Sequence, residues 1–256
     1  MKIKYIRGII IAAGLVLLWQ LIVLLTGAPR YILPGPLPVA KAIASHFSLL
    51  MGHLQTTFLE ITLGLILGIF FGISCALAMT ILPRLKAWML PILVISQAIP
   101  VFALAPVLVL WLGYGLASKV AMTVLIIFFP VCSSFYYGMQ RMDGDLLELA
   151  RIMHGRRTAI LRHIIIPAAL PSFASGVRVA AAVAPIGAIV GEWVGSSSGL
   201  GFYMLHTNAR MQIDLMFAAL TVLSVSSLIL YFLIDYSLNR LVFWETAREM
   251  HHAVHK

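Results

Sequence analysis

Asp145-Leu-Leu-Glu148-Leu-Ala150-Arg-Ile-Met-His154-Gly155, continuing to Ile164-Ile-Ile166-Pro167, is a stretch of mixed charge set between long apolar runs. It decides the fold because it separates chain suited to lipid from chain suited to water. Within residues 141–172, Leu146, Leu147, Ala150, Met153, Ile160, Leu161 and Ile164 recur at helical spacing. Glu148, Arg151, Arg156, Arg157 and Arg162 take the other positions. Gly155 suits the end of one helix and a turn, and Pro167 and Pro171 are expected to limit the next. The segment reads as two short amphipathic helices joined at His154-Gly155. One face can rest on apolar neighbours while the tip projects into water. Its 32 residues are too many for a plain connection.

Outward from this elbow the chain is greasy. Of 256 residues, 61% are hydrophobic and 11% charged, against about 25% charged in soluble domains. A bilayer core of about 30 Å takes about 20 apolar residues as a helix. Six spans follow from uncharged length: 8–26, 57–82, 92–112, 120–139, 173–194 and 215–234. The fold class is an all-α membrane protein, one domain over 1–256. No charge lies between Lys86 and Lys119, and Pro91, Pro100 and Pro106 interrupt that run, so the third span is expected to be bent or broken. The first apolar run, Gly8–Thr26, is 19 residues, longer than the roughly 7–15 of a signal peptide, and reads as an uncleaved span. Between the first two spans, Leu33-Pro-Gly-Pro-Leu-Pro38 is a turn-rich break, and 39–50 reads as a short interfacial helix.

Lys and Arg in short loops set orientation. With the N-terminus inside, thirteen fall on the cytoplasmic side (Lys2, Lys4, Arg7, Arg84, Lys86, Arg141, Arg151, Arg156, Arg157, Arg162, Arg240, Arg248, Lys256) and four outside (Arg30, Lys41, Lys119, Arg210). Both termini are therefore expected in the cytoplasm. The net charge of +9 is topological: the basic residues form no patch, which argues against nucleic acid. Cys75 and Cys132 lie inside apolar spans and read as packed thiols.

The elbow resembles the EAA loop of binding-protein-dependent ABC importers, E-A-A-x3-G-x9-I-x-L-P. Glu148 and Ala150 match, Leu149 replaces the first alanine, and Ile164, Ile166 and Pro167 fall at the family's spacing. His154 stands where the family has glycine, and Gly155 follows one residue later. Gln97-Ala-Ile-Pro100, Ala103-Leu-Ala-Pro106, Phe128-Phe-Pro130, and Gly191-Glu-Trp193 with Ser198-Gly-Leu-Gly201 resemble permeases of the sulfonate, taurine, nitrate and thiamine-precursor group. The resemblance implies a type I ABC importer permease of the bacterial inner membrane. It further implies a homodimeric pore, two ABC ATPase subunits engaging Glu148, Ala150, His154, Gly155, Ile164 and Pro167, and an extracytoplasmic substrate-binding protein. The chain has no G-x-x-x-x-G-K followed by Ser or Thr, so ATP and Mg belong to the partner ATPase and this chain is expected to bind no cofactor. It has no H-E-x-x-H and no run of clustered carboxylates, which argues against an intramembrane enzyme.

Candidate pathway residues come from helix interruptions, which the membrane tolerates only against protein or a wet cavity. They are Gln97 and Pro100 in the third span, and Pro185, beside Gly187, in the fifth. Glu192 suits a gate, a contact with the binding protein, or interfacial water beside Trp193. Arg178 is expected to snorkel, and Glu60 and Asp214 to sit at helix starts. Gly64, Gly68 and Gly72 form a small-xxx-small seam, within the subunit or between subunits. No metal site is expected; His251, His252 and His255 read as a solvated tail. An ion-coupled carrier is the alternative of another class. It is disfavoured because most spans carry no central ionisable group. The stretch 191–217 most resembles permeases for pyrimidine precursors of thiamine, which implies a cargo such as hydroxymethylpyrimidine, with alkanesulfonate, taurine and nitrate as rivals.

Overall fold

The computed structural model describes residues 2–142 and 144–244, and the side chains of these except at 2–5, 9, 146 and 151. The His-rich tail lies outside the described residues. Eleven α-helices follow in order, with no strand among the described residues. They are α1 (Lys2–Thr26), α2 (Pro36–Ser45), α3 (Phe47–Ile81), α4 (Pro83–Ala98), α5 (Val101–Leu112), α6 (Leu116–Gln140), α7 (Gly144–Ile152), α8 (Arg157–Ile160), α9 (Ile166–Gly195), α10 (Leu200–Ala209) and α11 (Ile213–Leu241). Among the described residues five stretches are long and apolar enough to cross a membrane, six if α4 and α5 count as one broken span. The six expected spans are all present. The end of the bundle bearing α7 and α8 is the elbow end, and its opposite the far end.

The core is the stack α3–α6–α9, built on glycine. A methyl added at Gly64, Gly68 or Gly72 would collide with Thr123, Ile127 or Val131 of α6. The two series advance in step by four, so i±4 ridges interlock and the helices run parallel. The small-xxx-small seam therefore lies within the subunit. On the other side of α6, Gly138 meets Ser172, Gly176 meets Ser134, Gly187 meets Thr123 and Gly191 meets Lys119. These numbers rise on one helix as they fall on the other, which fixes α9 antiparallel to α6. Alanines 174, 180, 181, 184 and 188 bury the same face of α9. By contrast α1 leaves most of its apolar side chains exposed. It is held at Trp19, whose Nε1 donates to the Pro34 carbonyl at 3.1 Å and whose ring stacks on Phe217 at 6.0 Å.

Several expected boundaries are corrected. The third span is broken as expected, into two helices meeting at 103° at Ile99-Pro100, but it starts at Pro83 and not at 92. Pro100 supplies the cap, with ψ 118° outside the helical region. The interfacial helix ends at Ser45, and α3 begins at Phe47, ten residues before the expected start. The second elbow helix is not limited by Pro167 or Pro171 but runs on into the fifth span, which is not broken at Pro185. Helix runs from Arg157 to Gly195 through a π turn at Leu161–Ile165. There the Ile166 amide donates to the Leu161 carbonyl. Pro167 has no N–H, and a locally widened turn absorbs the missing bond. A further helix, α10, was not expected; with the loop before it, it forms a hairpin at the far end between α9 and α11.

Candidate functional site

At the elbow end, α7 stands off the bundle. It closes on a Schellman motif: the Gly155 amide donates to the Ala150 carbonyl at 3.0 Å across a left-handed residue. That residue is His154, at φ +56°, and not Gly155. His154 thus occupies the conformation that explains glycine at this position in the EAA pattern, and its Nδ1 donates to the Ile152 carbonyl at 2.9 Å. Gly155 is needed for a different reason: an added Cβ would stand 2.8 Å from the Ala150 oxygen. Leu149, Ile152 and Met153 are exposed beside exposed Glu148, and a shallow hollow of about 620 Å³ is lined by Gly144, Leu147, Glu148 and Ile152. Ala150 is half-buried; Ile164 and Pro167 are half-buried in the π turn and the start of α9. The six elbow residues are thereby gathered at one end of the molecule. Burying three such apolar side chains against a partner would supply about 1.5–3 kcal/mol each.

At the far end lies a buried polar cluster that the sequence did not disclose as a unit. Glu60, Glu192 and Lys119 are 0%, 1% and 5% exposed, on α3, α9 and α6. Lys119 Nζ lies 3.3 Å from Glu60 Oε1 and donates to Ser196 Oγ at 2.7 Å. Glu192 Oε1 accepts from the Thr57 hydroxyl at 2.6 Å. Its Oε2 accepts from the amides of Gly201 at 2.5 Å and Phe202 at 3.1 Å, donors of the first turn of α10 that have no partner within the helix. Thr57 Oγ1 in turn accepts from the Leu200 amide at 2.8 Å, and His53 Nδ1 from that of Gly199 at 3.2 Å. Gly199 adopts φ +107°, a conformation glycine alone takes readily, and a Cβ there would collide with the Glu192 carboxyl. The cluster is a clasp that pins the far-end hairpin to the core.

These positions revise several expectations. Glu192 is sealed from interfacial water. Glu60 is well inside α3 rather than at its start, and Lys119 belongs to α6 rather than to a loop. Asp214 does sit in the first turn of α11. Arg178 is paired as well as partly exposed: its Nε donates to Asp235 Oδ1 at 2.7 Å and its guanidinium to Asn239 Oδ1 at 2.6 Å, tying α9 to α11. Gln97 and Pro100 are exposed at the bend between α4 and α5, while Pro185 is buried in unbroken α9. The four pathway candidates therefore form no common site within one subunit. The cluster had a faint sequence signal: opposite charges, Glu60 and Lys119, each at the edge of a long apolar run.

Residues 64–243 match the family model of the binding-protein-dependent transport system inner membrane component. A probable ABC transporter permease protein of Haemophilus influenzae is 52% identical over 94% of this chain and 99% of its own. The formylaminopyrimidine transport permease protein ThiX of Halalkalibacterium halodurans is 36% identical over 90% of this chain and 92% of its own. The riboflavin transport system permease protein RibX of Chloroflexus aurantiacus is 35% identical over 91% and 88%. Among solved structures, the inward-facing MetNI methionine ABC transporter superposes with a TM-score of 0.53 at 18% identity, over 81% of this chain and 95% of that one, a likeness of fold.

Proposed function

Because the chain belongs to the binding-protein-dependent transport system inner membrane components, the permeases of ABC importers, we propose that it moves a small heteroaromatic solute into the cytoplasm. The best candidate is a pyrimidine precursor of thiamine, such as hydroxymethylpyrimidine. Supporting this cargo, ThiX, 36% identical along nearly the full length, is named for a formylaminopyrimidine. RibX at 35% is named for riboflavin, also a heteroaromatic. The family match sets aside the ion-coupled carrier.

The observation that carries the mechanism is the elbow: a capped helix standing off the bundle with Leu149, Ile152 and Met153 exposed around Glu148. An apolar face with one carboxylate suits the cleft of a soluble partner. Two ABC ATPase subunits would seat there, one per permease copy in a homodimer, and supply the ATP and Mg chemistry that this sequence lacks. The elbow end is cytoplasmic on the Lys and Arg asymmetry, which puts both termini inside. The far end then receives solute from an extracytoplasmic binding protein. Closure of the ATPases on ATP draws the two elbows together. Force passes directly into α9, because helix is continuous from Arg157 to Gly195, and the pore opens outward.

Uptake into proteoliposomes carrying the whole complex tests both parts. ATP-dependent accumulation of hydroxymethylpyrimidine, competed by neither taurine nor an alkanesulfonate, is the expected result. Accumulation of taurine, a sulfonate or nitrate instead would overturn the cargo. ATP-independent uptake would overturn the mechanism.

A further inference from the structure

We propose that the far-end clasp is a proton-binding site: Glu60 holds one proton and donates it to Glu192. This assignment stands independently of the cargo. Glu192 is already served as an anion, since its two oxygens accept one hydroxyl and two amide donors. Among the described residues Lys119 supplies the one buried positive charge. Glu60 is the group left over. Its Oε2 is buried with no hydrogen-bond donor, and Lys119 approaches Oε1 as an ion pair without a hydrogen bond. Glu192 belongs to the same buried cluster, since Thr57, one turn before Glu60 on α3, donates to its Oε1.

Two carboxylates in one site closed to water cannot both stay ionised beside a single ammonium. A second uncompensated negative charge would also violate the rule that buried charges are paired. A proton on Glu60 resolves both problems. It turns the orphan oxygen into a donor, gives Glu192 a fourth partner, and leaves one ammonium against one carboxylate. The other titratable groups at the far end of the helices that form the clasp are His53 on α3 and Tyr203 on α10, whose rings stack at 4.9 Å, and His206 on α10, stacked on Phe202 at 5.7 Å. α5, packed on α6 and α9, carries no titratable residue. On α11 the nearest carboxylate to this end, Asp214, lines a separate cleft with Arg30.

The consequence is mechanical. Loss of the proton sets a second negative charge against Glu192, the residue that holds the first turn of α10, and loosens the hairpin. The folded chain binds one more proton than the unfolded chain, so stability falls as pH rises. The limit is about tenfold in the folding equilibrium per pH unit.

The purified full chain in lipid nanodiscs tests this. Infrared spectra at neutral pH should show the carbonyl stretch of a protonated carboxylic acid. Glu60→Gln should remove that band and Glu60→Asp should shift it. Thermal unfolding of the wild type should lose stability from neutral to alkaline pH, while Glu60→Gln stays flat. If Glu60→Gln fails to insert, the wild-type band and its shift in Glu60→Asp decide. A wild-type spectrum without a protonated-acid band, or a band indifferent to both substitutions, overturns the proposal. So does stabilisation by sodium that disappears in Glu60→Gln, which would make the ligand a metal cation.

Discussion

Thr57→Val removes one hydroxyl and keeps the side chain's shape, so it isolates what the clasp contributes. In the wild type the Thr57 proton goes to Glu192 Oε1 at 2.6 Å, and its lone pair takes the Leu200 amide at 2.8 Å. A hydrogen bond to a charged group contributes about 1.5–3 kcal/mol, and a buried donor left unpaired costs about 1–3 kcal/mol. Taken together the expected loss is about 3 kcal/mol, which for a chain of this size is about 6–12 °C in Tm. Thr57→Ser keeps the hydroxyl and loses one methyl, worth about 0.8 kcal/mol. The pair should therefore differ by about 2 kcal/mol. The assay is thermal unfolding in one detergent, with hydrogen exchange read at the amides of 200–202. Valine should release those amides selectively and serine should not. A valine variant no less stable than the serine variant, with unchanged exchange at 200–202, would refute the clasp as a source of stability.

Other substitutions probe the remaining elements. His154→Gly relieves a left-handed conformation that costs a non-glycine residue about 1 kcal/mol; slower hydrogen exchange across α7 should follow. Gly187→Val drives a side chain into the α6 backbone, where even a Cβ would lie 2.6 Å from Thr123 Cα. Overpacking of this kind costs about 1–3 kcal/mol, and loss of folded, inserted protein by size-exclusion chromatography is the expected readout. Glu148→Lys changes an exposed side chain, so insertion and Tm should be unaffected while ATP-driven uptake by the reconstituted complex is lost.

Much of the fold was legible because lipid imposes a single simple demand, uncharged length. The six spans and the elbow between the fourth and fifth follow from where charges stop and start. Prolines were less legible, because a missing N–H can be met in several ways. Pro100 ends a helix and turns the chain through 103°. Pro167 is absorbed by a π turn, and Pro185 sits inside α9 without ending it. Which outcome occurs depends on neighbouring helices, and the local sequence does not carry that information. The α10 helix escaped for a related reason. It lies in a stretch rich in glycine and serine whose first turn is held by Glu192 and Thr57, residues distant in sequence.

The buried charges show where reading by spans must fail. A span is recognised by the charges that bound it, so Glu60 and Lys119 were assigned to helix ends and loops by the same rule that found the helices. In the structure the helices run past those boundaries: α3 starts at Phe47 and α6 at Leu116. Charges at the margin of each apolar run are thereby carried into the core, where they meet partners from other helices. Thr57 and Glu192 are 135 residues apart. Each residue alone looks like an interfacial anchor, and only their coincidence at one depth makes a site. Burial without partners would be prohibitive for every one of them. An isolated glutamate at the edge of a transmembrane run is therefore a demand for a partner, and the place to seek it is the matching edge of the helices that share its end of the bundle.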